Sequence, residues 1–210
     1  MNGILSPDEN PAYGDWKSLP GSLWDEIDQA DKRFWPEELG GMGQEKYHLP
    51  FLGDTLIIDP ATRHLSWRDS PRSPSFQEGL VALSYLANLK PVDPSPKWLS
   101  PVELPGGRTF FGPGSHPPKT ENVLKAWTDH PSHFKDVIKA LSGTPIPEGD
   151  EGFQIPCLPK VSLRYVFWKG EEGLSSAVTL LVNATVHLFL PLDVLWALIN
   201  LTDRCFEISG

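Results

Sequence analysis

Proline stands at 22 of the 210 positions of this chain, about twice its usual share of roughly 5%. Proline fixes φ and has no N–H for a helix or a ladder, so it tends to mark where elements stop. The prolines are spread out between apolar runs. That marks loop punctuation in a folded chain rather than a disordered tract. Eight tryptophans and a hydrophobic share of 40% agree, because disordered chains are poor in aromatics. The length suits one domain, or one domain with an attached arm.

Residues 1–46 read as that arm. Pro7, Pro11, Gly14, Pro20 and Gly21 break every pattern, while Trp16, Leu19, Trp24, Ile27 and Trp35 supply an apolar face. Ser22 is placed to cap a short helix from Leu23 to Arg33, with Asp25 and Glu26 in its first turn. The arm is expected to pack by its tryptophans over the core or a protein partner. Residues 47–210 read as a single α+β domain. Tyr47–Ile58 and Arg63–Arg68 make one hairpin; Lys160–Trp168 and Ala177–Asn183 make another. Helices are predicted over Phe76–Leu89 behind a Ser75 cap, from Thr120 to about Asp129, over His133–Leu141 behind a Ser132 cap, and from just after Leu190-Pro191 to about Cys205. Between Val92 and Pro118 lies a long Pro/Gly-rich structured loop. The predicted class is thus an antiparallel sheet built from two hairpins, with helices packed against it.

The net charge is −9, and residues 1–50 carry ten Asp/Glu against four Lys/Arg. An acidic chain repels phosphate backbones, so no nucleic-acid partner is expected. The arginines at 63, 68 and 72 make only a small basic spot. The most apolar stretch, Val186–Leu201, is broken by Pro191 and Asp193, so no membrane partner is expected. Two cysteines, Cys157 and Cys205, and no basic-then-apolar opening predict a cytoplasmic protein with free thiols.

The loop carries the best candidate residues. His116 follows Phe110-Phe111 in a Gly/Pro context where ligand contacts concentrate. Trp98, Phe110, Phe111, Trp127, Phe153, Trp168 and Trp196 form a set able to line a pocket for a flat ligand. Of these, Trp98, Phe110, Phe111, His116 and Trp168 are the predicted ligand-binding residues. His116, together with the His130/His133 pair, supplies the weak metal candidates. Asp150, Glu171 and Glu172 are the carboxylates available for acid/base work. No phosphate loop and no G-x-S-x-G elbow occur, so no catalytic residue is assigned.

Several short motifs occur in a fixed order: Lys97-Trp98-Leu99-Ser100, Glu103-Leu104-Pro105-Gly106-Gly107, Asp129-His130-Pro131, Gly149-Asp150, Trp168-Lys169-Gly170-Glu171-Glu172 and Leu190-Pro191. In these, from about Tyr47 to Leu201, the chain resembles a prokaryotic family known as domain of unknown function 3786. Similar proteins often carry Asp and His where this chain has Asn183 and Leu188, with His187 one residue earlier. Some relatives bear a cysteine-rich module resembling the iron–sulfur module of corrinoid proteins. With two cysteines, this chain is expected to hold no such cluster. The resemblance implies an accessory or binding role in anaerobic, corrinoid-linked metabolism. Together with the aromatic set and the candidate histidines it leads to the expectation of a non-enzymatic protein that binds a tetrapyrrole, either corrinoid or haem-like. A carboxylate/histidine enzyme and a protein-binding adaptor are the alternatives.

Overall fold

The computed structural model describes residues 14–35, 39 and 45–208. Within them, eight strands form two antiparallel sheets, joined by six α-helices. The strands are β1 (Tyr47–Phe51), β2 (Asp54–Asp59), β3 (His64–Trp67), β4 (Trp98–Leu99), β5 (Thr144–Pro145), β6 (Glu151–Leu158), β7 (Val161–Trp168) and β8 (Ala177–Asn183). The helices are α1 (Ser22–Gln29), α2 (Phe76–Asn88), α3 (Gly107–Phe111), α4 (Glu121–Asp129), α5 (Pro131–Ala140) and α6 (Leu192–Arg204). The α+β class holds. The two expected hairpins belong to separate sheets, ordered β1-β2-β3 and β4-β8-β7-β6-β5.

The run from Tyr47 to Ile58 folds back on itself. Leu52 and Gly53 both take positive φ, 46° and 84°, which is the turn geometry that matches the strand twist in a two-residue hairpin. Only glycine fits the second position, because a Cβ there would stand 2.2 Å from the Ala140 carbonyl oxygen. Alternation then puts Leu49, Phe51, Leu56, Ile58, Leu65 and Trp67 on one buried face. Strand β6 was not foreseen. It carries Pro156 in its interior, and a register shift separates Pro156 from Leu158. Its neighbour β5 pairs only with Phe153 and Gln154, so Pro156 sits where β6 is an edge and no ladder bond is lost.

The predicted arm packs onto its own chain. Trp16, Leu19, Trp24, Ile27 and Trp35 are buried in one continuous core with the domain. Gly79 of α2 permits the contact, since a Cβ there would come within 2.7 Å of Leu19 and 2.9 Å of Trp16. Gly21, not Ser22, occupies the α1 cap, and that helix ends at Gln29 rather than Arg33. Ser132 likewise lies inside α5, whose first residue is Pro131. Ser75 caps α2 as expected, in a reciprocal capping box with Glu78.

Two carboxylates fix helix ends and respond oppositely to pH. Burial pushes the Glu78 carboxyl up, but the Arg72 guanidinium at 2.7 and 2.8 Å and the Ser75 N–H at 2.7 Å outweigh it, so it lies below the usual 4.5. Asp203 of α6 accepts from the Val123 N–H at 3.0 Å and from Asn122 at 2.9 Å, and so caps α4 from another helix. Its burial holds the carboxyl above the usual 3.8. The lowered Glu78 supplies stability that is lost as pH falls below about 4.5. The raised Asp203 works against stability as pH climbs from about 3.8 through its folded-state value. Urea denaturation across pH should show Glu78→Gln flattening the acid limb at a cost of about 1–3 kcal/mol near neutrality. Asp203→Asn should reduce the decline from acid toward neutral pH.

Candidate functional site

The motif at the head of the long loop builds the platform for the candidate site. After β4, Pro101–Glu103 form a 3-10 turn, and the Glu103 carboxylate accepts from the Ser100 N–H at 2.8 Å. Gly106 takes φ of 75°, and Gly107 lies so close to Pro101 that a Cβ would stand 2.2 Å from its carbonyl oxygen. This tight turn starts α3, a single helical turn within the predicted loop. That helix turns Phe111 into the core and leaves Phe110 half-buried at the surface.

The chain then returns so that the His116 N–H donates to the Phe110 carbonyl at 3.1 Å. The imidazole stacks on the Phe110 ring at 4.6 Å between centroids and 12° between planes. It meets the Trp196 ring edge-on at 5.5 Å, and the Trp196 indole N–H donates to the Pro117 carbonyl at 3.2 Å. Nδ1 lies 3.0 Å from Ser115 Oγ, while Nε2 has no hydrogen-bond partner among the described residues. These rings, with Phe76 and Leu80 of α2, line a half-open pocket of about 320 Å³. Gln77 and Asp193 supply its polar rim. The Gln77 amide oxygen accepts from Arg204, which leaves its NH₂ free to face a ligand.

The five predicted ligand residues thus divide. Phe110 and His116 meet in the pocket, and Phe111 backs it from the core at 5.0 Å from Phe110. Trp98 and Trp168 lie on the opposite face of the five-stranded sheet. Trp98 packs under the Arg164 guanidinium at 4.0 Å, and Trp168, 48% exposed, donates to Thr179 at 3.2 Å. Phe76, Gln77, Leu80 and Asp193 were not singled out, because nothing local in sequence says that α2 and α6 meet. His130 is exposed at the α4–α5 junction, and His133 Nε2 is buried without a partner. No group of three or more His, Cys, Asp or Glu stands at metal-binding spacing among the described residues.

The carboxylates proposed for acid/base work also separate. Asp150 accepts from the Lys169 N–H at 2.7 Å in a turn, and Glu171 and Glu172 are exposed at the β7–β8 connection. The three arginines are engaged too: Arg63 with Asp25 at 2.6 Å, Arg68 with His48 at 3.0 Å, and Arg72 with Glu78. Cys157 is buried, and that burial pushes its thiol up to about 12. It therefore remains a thiol at neutral pH. No described helix is long and apolar enough to cross a membrane.

Residues 37–204 match the family described as Domain of unknown function (DUF3786). The chain belongs to this family. No curated protein and no solved structure matches it. In this DUF3786 protein the structure gives Asn183 a definite task. Asn183 is buried at the end of β8, where its Oδ1 accepts from the N–H groups of Ser95 and Thr185 at 3.1 and 3.0 Å. Its Nδ2 donates to the Ser95 carbonyl, which a carboxylate could not do. The amide thereby ties the 92–97 segment to the sheet and sets the approach to β4. Asn183→Asp should lower stability in urea by about 1–3 kcal/mol at neutral pH, because it faces one buried oxygen with another. The isosteric Asn183→Leu should cost at least as much, since the Ser95 carbonyl and the Thr185 N–H would lose their partner, although the Ser95 N–H keeps Thr185 Oγ1 at 3.0 Å.

Proposed function

We propose that this protein is a non-enzymatic binding protein of anaerobic metabolism, acting in the cytoplasm, whose ligand is a tetrapyrrole engaged at His116. The observation that carries the reading is the fixed imidazole. Phe110 holds one face and Trp196 an edge, and Ser115 occupies Nδ1, so Nε2 is the nitrogen left for a metal at the centre of a macrocycle. A pocket of about 320 Å³ falls at the lower end of the usual range for small-molecule sites. It is half-open, so it suits a ligand that inserts one edge and leaves the remainder in solvent. Free space bounded by Phe76, Leu80 and Trp196 offers an apolar wall to a flat ring. The anaerobic and corrinoid setting follows the family resemblance. No iron–sulfur cluster belongs to this reading, and a free, buried Cys157 is compatible with a reducing compartment.

The test is an absorbance titration of the full chain with hemin and, separately, with hydroxocobalamin under nitrogen. Wild type should form a one-to-one complex with an altered visible spectrum. His116→Ala should lose the axial-ligand bands and bind about tenfold or more weakly. His116 is exposed, so circular dichroism should report an intact fold. An unchanged spectrum and affinity in this variant would remove His116 as the ligand and with it the reading.

A further inference from the structure

A second pocket, of about 380 Å³, lies between the α4–α5 junction and the two ends of the β7–β8 connection. It shares no lining residue with the His116 pocket. Its floor is aromatic. Trp127 stacks on Phe167 at 4.9 Å and 29°, and its indole N–H donates to Glu151 Oε2 at 2.7 Å, which fixes the ring. Pro131 extends the apolar surface, and the buried Phe134 backs it from the core.

The rim is a set of donors around that floor. Lys135 and Lys169 both line the pocket, and neither has an ion-pair partner among the described residues. In a chain of net charge −9, two unpaired ammonium groups beside one opening make a local exception. Their backbone positions are set by rigid structure. Lys135 sits one turn after Pro131 on α5, and the Lys169 N–H is anchored to Asp150 at 2.7 Å. Ser176 accepts from the Gly170 N–H at 3.1 Å, so its own hydroxyl hydrogen is available to a ligand. Glu151 is the one carboxylate in the lining, and its Oε2 is already committed to Trp127.

We infer that this pocket binds a small planar organic anion, an aryl or indolyl carboxylate, with its ring on Trp127 and Pro131 and its carboxylate between Lys135 and Lys169. The ring gains apolar contact on the fixed indole. The carboxylate gains two charge-assisted hydrogen bonds. Glu151 Oε1 is left to accept from a ring N–H or hydroxyl, and it disfavours a second anionic group.

The probe is indole-3-acetate, with the uncharged indole-3-acetamide beside it. The reporter is the Trp127 indole N–H resonance of the full chain, assigned by its loss in Trp127→Phe. The acetate should shift that resonance saturably, and the amide should bind about tenfold or more weakly. Lys135→Gln/Lys169→Gln should weaken the acetate to the level of the amide, and about 0.5 M salt should weaken it in wild type. His116→Ala should leave this binding unchanged, which separates it from the tetrapyrrole site. Equal binding of acetate and amide, an unaffected double lysine variant, or a Trp127 resonance that does not move would each overturn the assignment.

Discussion

The burial of α6 is the constraint on which the remaining structure depends. From Val194 to Asp203 the helix has only Trp196 in partial contact with solvent. A helix enclosed in this way bears a desolvation cost for each polar group it carries inward, and Asn200 Oδ1 bears it without a partner among the described residues while Thr202 and Asp203 are paired. Thr202 donates to the Leu198 carbonyl at 2.9 Å and lies 3.9 Å from the Cys157 thiol of the five-stranded sheet. Asp203 turns its carboxylate to the amides that open α4. One helix thereby fixes the sheet on one side and the start of α4 on another. The position of Trp196, and so of the ring edge presented to His116, follows from the same enclosure.

Much of this was legible in residue order, and the exceptions have physical causes. Ser75 announces α2 because a cap is a local device; the structure completes it as a capping box with Glu78, all within four residues. Pro191 announces α6 for the same reason. The turn at Leu52-Gly53 was hidden because leucine is a poor signal for positive φ; the surrounding fold imposes it. Strand β6 was hidden by Pro156, which argues against a central strand unless one knows that its neighbour is only two residues long. Ser22 and Ser132 have the right chemistry for caps but lie one or two residues inside their helices, the usual uncertainty at helix ends.

The candidate site was legible in part, along a similar divide. Phe110, Phe111 and His116 lie within seven residues, so a short loop could be expected to bring them together. Trp98 and Trp168 could not be sorted by face, because that depends on the pairing of β4 with β8 and of β8 with β7. Trp98 stands opposite Asn183 and Trp168 opposite Ala177, and alternation along β8 sends both away from the helices. The motifs that carry the family resemblance mostly serve backbone geometry: a carboxylate on an amide at Glu103, close approach at Gly107, and a turn held by Asp150. Their shared task is to place neighbouring side chains, which explains why they are legible without naming a reaction.

The two sheets are joined near their ends with little direct bonding. The Leu52 N–H in the β1–β2 turn donates to the Cys157 carbonyl at 3.0 Å, while the ladders of each sheet stay separate. Gly53 then sits against the Ala140 carbonyl, so the turn is keyed to α5 as well as to β6. The Leu52 amide is therefore a natural reporter of cooperativity. If it exchanges its hydrogen as slowly as the amides in the middle of β7, the two sheets open as one unit. If it exchanges far faster, the three-stranded sheet is a separate foldon that can loosen while the helical face around α6 remains closed.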